Sequence, residues 1–444
     1  RTMSPYIIYG LTAVNGGVTL TIEPGVVVKF TEGAYLNVRG IVDAQGTDTN
    51  AIIFTSLKDD VGGDTNGTTT LPAVGDWLGV LVSEDGSEFA HTAFRYGGKS
   101  GIGNDPFFAN LHIREAEAVI TDSVFAFSGT NGMRATDAVL TLTGNTFQDN
   151  TESGASIQYI QEGEVTYTHN TSSRNRYGLM LLANGLAHEM RIEDNVFEDN
   201  TEDAISVLFA RPSFSGNTAT GNGTNGTRFS IHAFAEDYLL TEDLPYIFAS
   251  MVVAENAILT IEAGTIIKFT ADGSLSLYGR LVSSGAEDNP VIFTSLHDDE
   301  YGGDTNGNGT TTAPASGDWY SLTFLSGAAN STLSHTKIRY GGSKISGVPR
   351  GAVRIEDTDI SLDYVTIENN YLIGLLLSNS ASAISNSTIR DHTTPASGFY
   401  GALVLTNDAL PTIANTVFIN NAVHILIVRE GDADYVDGGG NVFE

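Results

Sequence analysis

The chain predicts an all-β solenoid, and three observations carry that expectation. The composition is strand-and-turn chemistry: among 444 residues there are 49 Gly with abundant Val, Ile, Thr and Asn, against 11 Pro and 5 Met. Short β-branched runs punctuated by Gly and Asn suit strands and tight turns. A long internal duplication is present, and within it runs a shorter period in the low-to-mid twenties. One coil of a three-sided parallel β-helix has that period, and the spacing is too irregular for leucine-rich repeats.

The duplication is read without a gap. Leu20–Ser56 is LTIEPGVVVKFTEGAYLNVRGIVDAQGTDTNAIIFTS and Leu259–Ser295 is LTIEAGTIIKFTADGSLSLYGRLVSSGAEDNPVIFTS. Lys29 and Lys268, Phe30 and Phe269, and Gly40 and Gly279 fall at matching positions. Two Gly-rich acidic loops follow, and then HTAFRYGG from His91 and HTKIRYGG from His335. The matched units lie near 6–103 and 246–347, so two tandem modules are expected, 1–236 and 237–444, with the boundary near the acidic stretch Phe234–Asp243.

The shorter period appears as triplets such as Leu20-Thr21-Ile22, Leu36-Asn37-Val38 and Ile52-Ile53-Phe54. Downstream it is led by Asn145, Asn170 and Asn195, which are 25 residues apart, and then by Asn217. Asn386 and Asn415 continue it in the second half. Asn tolerates left-handed turns and its amide bonds to backbone or to the next coil, so this ladder reads as structural. At ~4.8 Å per stacked strand, roughly 17–19 coils are expected. Helical spacing is best approximated by 178–188 (GLMLLANGLAH), a short run that begins on Gly.

Charge and composition exclude several functions. With 53 acidic against 22 basic side chains the net charge is −31, which repels phosphate backbones and makes nucleic acid an unsuitable partner. No Cys is present, which removes disulfides, thiolate metal sites and a Cys nucleophile. No run reaches the roughly 18–20 apolar residues of a membrane span. The opening residues lack signal-peptide character and the chain stops where a coil is starting, so a longer exported protein is expected.

The loops carry the site prediction. DDVGGDTNGTTTLPAVGDW from Asp59 returns as DDEYGGDTNGNGTTTAPASGDW from Asp298. Ca²⁺ takes six to eight oxygen ligands in flexible loops, and paired glycines let backbone carbonyls face an ion. The candidate ligands are Asp59, Asp60, Asp64, Asn66 and Asp76 in loop 59–76. In loop 298–318 they are Asp298, Asp299, Asp304, Asn306, Asn308 and Asp318, giving one expected Ca²⁺ per module. An EF-hand is excluded, since no Glu stands at the twelfth position. The competing reading is a metal-free turn capped by its own Asp and Asn side chains.

Together LTIEPGVVVKF, the spaced glycines, IIFTS, the GGDTNG loops and GDW resemble the right-handed parallel β-helix repeats of exported bacterial and archaeal surface proteins. The resemblance implies an extracellular, non-enzymatic rod in an adhesin, surface layer or filament, with neighbouring domains or further copies as partners and cell-surface glycans as another. The wider pectate-lyase-like superfamily supplies the alternative, a polysaccharide-binding or polysaccharide-degrading protein. An enzyme of that kind needs a base such as Arg95, Lys99 or Arg339, and acids such as Asp122 or the Asp359/Asp363 pair; none forms a recognisable motif, so no catalytic residue is assigned. Trp77 and Trp319 read as core or loop packing before sugar-stacking platforms. Alternation places His91, Ala93 and Arg95 on one strand face. The Thr pairs at 19/21 and 141/143 do not persist as the flat ladder that ice binding needs.

Overall fold

The structure is a computed structural model that describes residues 4–99, 109–160, 163–183, 189–230, 233–342, 344–345, 348–349, 351–392, 400–428 and 431–444. It is a right-handed parallel β-helix. Two compact units divide between Thr227 and Arg228, upstream of the boundary that the acidic stretch suggested.

In the first unit each coil contributes one strand to each of three parallel sheets, here called A, B and C in chain order. Sheet A runs in nine strands from Tyr6–Ile8 to Thr218–Thr220. Sheet C runs in eight from Thr19–Ile22 to Ser213–Ser215. Sheet B, between them in each coil, includes Leu11–Val14 and Asp203–Leu208. The second unit repeats this plan, and its sheet C again has eight strands, from Tyr238–Leu240 to Val436–Asp437. Counted on sheet C, the described residues form eight coils in each unit. The total falls below the expected number because long excursions, the acidic loops foremost, take residues out of the coils. The run at 178–188 is not helical in its described part: Tyr177–Ala183 is a sheet B strand.

Alternation fills the interior. On sheet A, Phe54, Phe94, Phe125 and Phe147 occupy one register row. Their rings stack at 4.7, 5.2 and 5.0 Å between centroids. Corners between sheets are made by single residues in the left-handed region, among them Asp149, Arg174 and Asp199 at φ 55, 54 and 53. Asn and Asp adopt that conformation at less cost than other side chains.

In the middle coils of the first unit an Asn follows the corner, as at His169, Arg174, Asp194 and Asp199, and this produces two ladders. In one, Asn145 donates its N–H and its amide to Asn170 Oδ1 at 2.9 and 3.0 Å, and Asn170 does the same to Asn195. A second ladder of Asn150, Asn175, Asn200 and Asn222 has the same bonds. The ladder at Asn145 matches the sequence rhythm, and the second runs beside it from Asn150 with equal regularity. In the second unit Asn386 and Asn415 sit one residue early. They hold the left-handed corners, φ 49 and 48, while Ser387 and Thr416 take the inward position.

Candidate cation loops

Sheet A carries an outward polar row under each acidic loop. Lys29 is paired in register with Thr55, and Arg95 follows in the next strand. In the second unit Lys268 pairs with Thr294, followed by Arg339. Lys29, Thr55, Lys268 and Thr294 all have zero exposure although they face away from the core. The loops cover them. Lys29 Nζ donates to Gly63 O at 2.7 Å and Thr65 Oγ1 at 2.9 Å. Lys268 Nζ donates to Asp298 O at 2.8 Å and Gly303 O at 2.9 Å.

The first Asp of each loop lands on the same row. Asp59 Oδ2 accepts from Thr55 Oγ1 at 2.6 Å and meets Arg95 Nε at 2.8 Å. Asp298 Oδ2 accepts from Thr294 Oγ1 at 2.5 Å and lies 3.7 Å from Arg339 Nη1, which also holds Glu300 at 2.6 Å. Desolvation lowers the pKa of both lysines, to about 8 for Lys268, while the loop aspartates oppose the shift.

The closing Gly-Asp-Trp is equally repeated. Asp76 Oδ2 accepts from Ser56 Oγ and Ala73 N at 2.7 and 2.9 Å; Asp318 Oδ2 accepts from Ser295 Oγ and Ala315 N at 2.6 and 3.0 Å. Trp77 and Trp319 are fully buried, stack on Phe30 and Phe269 at 4.0 and 4.3 Å, and donate Nε1–H to Arg95 O and Arg339 O. Arg-Tyr-Gly-Gly is thereby explained. The Arg carbonyl receives the indole, Tyr96 and Tyr340 turn the corner at φ 66 and 64, and the next Gly makes room for the ring. A Cβ on Gly97 or Gly341 would stand 2.9 or 2.8 Å from Trp Cε2. His91 does not share the strand face of Ala93 and Arg95, because it occupies the preceding corner at φ 44.

The expected metal ligands are dispersed among these tasks. Asp64 Oδ1 caps Asn66 N and Gly67 N, and Asn66 Oδ1 caps Thr68 N. Asp60 is exposed. Asp304 caps Asn308 N and Gly309 N at 3.0 and 2.8 Å. Among the described residues no three His, Asp or Glu side chains gather in a metal-holding group. The two loops nevertheless differ. Asp299 Oδ1 and Asn308 Oδ1, both in the expected ligand set, are buried acceptors with no hydrogen-bond donor. Such oxygens suit a hard cation, and no loop 59–76 acceptor is in that condition among the described residues.

The residues considered for catalysis are also in structural use. Lys99 Nζ pairs with Glu32 at 2.8 Å, Asp122 holds a corner at φ 48, Asp359 accepts from Ala381 N, and Asp363 accepts from Ser385 Oγ and Asn386 Nδ2.

Residues 79–234 match the family described as right handed beta helix region. No curated protein sequence matches the chain. Among solved structures, the chain is similar to the catalytic unit of a thermostable GH87 alpha-1,3-glucanase from Streptomyces thermodiastaticus strain HF3-3, at 11% identity over 96% of this chain and 63% of that one, TM-score 0.26. It is also similar to a mutant of the PL6 family alginate lyase AlyGC, at 11% identity over 99% of this chain and 96% of that one, TM-score 0.21. The chain spans less than two thirds of the glucanase units, 63% and 64% of their length.

Proposed function

We propose that this chain is a non-enzymatic rod segment of an exported cell-surface, surface-layer or filament protein, whose acidic loops bind Ca²⁺. The observation that carries this reading is the repetition of one docking set. Lys, Thr, Arg, Asp, Ser and Trp meet the same kinds of partner atoms in both units. A scaffold duplicates its fasteners, whereas a reacting centre has no need of two. The acidic surface of net charge −31 suits a protein that meets divalent cations and salt outside the cell.

Thermal unfolding with Ca²⁺ and then with excess EGTA, beside metal analysis, tests the proposal. A ligand of the native state raises the midpoint with its concentration. The shift is expected to depend on Asp304 more than on Asp64, because the second loop holds the two donorless acceptors. No bound metal and no shift would remove Ca²⁺ from the reading. Hydrolysis or β-elimination of any polysaccharide in a panel would overturn its non-enzymatic part. The alternative, a polysaccharide-binding or polysaccharide-degrading protein, draws its support from a groove on sheet B of the second unit.

A further inference from the structure

The duplication supplies an internal control: a face that keeps its place in the fold but changes its chemistry between the units is free of the docking requirement. Sheet B has such a face. In the first unit Asn37, Leu81 and His112 form one outward row. Leu81 is 2% exposed and clusters with Leu78 and Tyr35, and His112 is buried against Thr136 Oγ1 at 3.1 Å. The corresponding row of the second unit is Ser276, Thr323 and Arg354. Leu78 is replaced there by Tyr320, and Gly79 by Ser321, which pairs in register with Ser274.

A groove of about 330 Å³ is lined by these residues of the second unit. Its floor is a patch of hydroxyls, with Ser321 Oγ and Thr323 Oγ1 2.9 Å apart. Tyr278, 45% exposed, and Tyr320 border it, and an Arg354–Glu356 ion pair lies beside the floor. Each hydroxyl both donates and accepts, and a tyrosine offers a flat apolar face with a polar tip. A ligand complementary to that set carries many hydroxyls on a ring with apolar C–H faces. Arg354 is already neutralised by Glu356, and the chain's charge of −31 opposes polyanions.

From this groove we infer that the second unit binds a neutral oligosaccharide, with Tyr278 and Tyr320 against sugar rings and Ser276, Ser321 and Thr323 on their hydroxyls. The binding is non-catalytic: a glycosidase needs two carboxylates about 5–9.5 Å apart, and Glu356 is the one carboxylate among the described lining residues. This inference adds a ligand to the rod and rests on that reading for its lack of turnover.

Affinity electrophoresis through gels containing neutral polysaccharides (α-glucan, β-glucan, mannan, xylan) or acidic ones (alginate, pectate) tests it, with titration calorimetry on matching oligosaccharides. Thr323→Leu installs the residue that the first unit tolerates in the equivalent strand, so folding is expected to survive, and an unchanged melting midpoint verifies this. Retardation by at least one neutral polymer is expected, with affinity about ten-fold weaker in Thr323→Leu and in Tyr278→Ala. No retardation by any neutral polymer, retardation by acidic ones only, or undiminished retardation of folded Thr323→Leu would overturn the inference. Release of sugar ends that Thr323→Leu abolishes would uphold the groove while overturning the non-enzymatic reading.

Discussion

His392 stands in the second unit where the first unit's ladder has Asn150, Asn175, Asn200 and Asn222, and it has Asn370 and Asn421 as its ladder neighbours. It is 1% exposed. Its backbone N–H donates to Asn421 Oδ1 at 3.1 Å, as the ladder asparagines do, and Nδ1 lies 3.1 Å from the same oxygen. Asn370 Nδ2 approaches Nε2 at 3.5 Å, which assigns the proton to Nδ1 and leaves the ring neutral. Burial depresses the imidazole from 6.5 to about 4, only partly opposed by the Asn421 bond and the charges of Asp391 and Glu368. The unfolded chain therefore takes up this proton first. The stabilising contribution is complete above pH 6.5 and is lost as pH falls toward 4.

Replacing His392 with Asn tests that account, because it restores the ladder residue and removes the titration. The displacement is equivalent to roughly 3 kcal/mol in full, of which about 2.5 kcal/mol is lost by pH ~4.5. Carboxylates titrate over the same interval in both proteins, so the difference between wild type and variant isolates the imidazole. In urea unfolding at neutral pH the two are expected to agree within about 1 kcal/mol, the smaller side chain leaving a modest gap. As pH falls from 7 to 4.5 the variant should gain steadily on the wild type. Parallel pH profiles, or an imidazole that titrates near 6.5 by NMR in the native state, would refute the reasoning.

Three further outcomes follow from the same geometry. Lys268→Met leaves Asp298 O and Gly303 O without their donor, at about 1–3 kcal/mol each, and hydrogen exchange should open loop 298–318 ahead of the coils. Since Lys268 titrates near 8 when folded and at 10.5 when unfolded, wild-type stability should rise relative to that variant between those values. Gly341→Ala places a Cβ 2.8 Å from the Trp319 ring, which should cost about 1–3 kcal/mol and be seen as a shift in tryptophan emission. Asn175→Ala strands the buried Asn150 backbone N–H and one of its two Nδ2–H groups, the other staying on Phe125 O, and takes the amide donor from Phe147 O; denaturant unfolding should show a loss of about 3 kcal/mol.

The coils were legible in the sequence because their determinants are local. A left-handed corner followed by an inward Asn recurs at nearly constant spacing, and a strand of three to six residues alternates on its own. The chemistry of the loops was far less legible. Asp59 and Asp298 read as free carboxylates until register places Thr55 and Arg95, or Thr294 and Arg339, beneath them. Lys29 and Lys268 were visible as aligned residues, but each reaches partners 30–36 positions away that only stacking brings close. His392 was invisible as a ladder member, because nothing in its type reveals the Asn position it fills.

What the two units hold in common separates two kinds of constraint. A long excursion must cover a polar row on sheet A, and every group in that row needs a partner once water is excluded. Changing one member strands the others, so Lys, Thr, Arg, Asp and Trp persist as a set in both copies. Among the described residues, sheet B bears no such excursion pinned to its outer face by a repeated set. Its outward residues can change from Leu78 and Leu81 to Tyr320 and Thr323 while the inward rows Val80 and Leu322 keep their apolar character and burial. Changing those outward apolar residues strands no polar partner, so that face can acquire a ligand while the inward rows of the coil stay in place. Grafting Tyr320 and Thr323 onto the first unit, as Leu78→Tyr with Leu81→Thr, should therefore leave the coil folded. It should cost about 1.5–3 kcal/mol for each apolar side chain no longer buried, measurable as a lower midpoint with an unchanged denaturant slope.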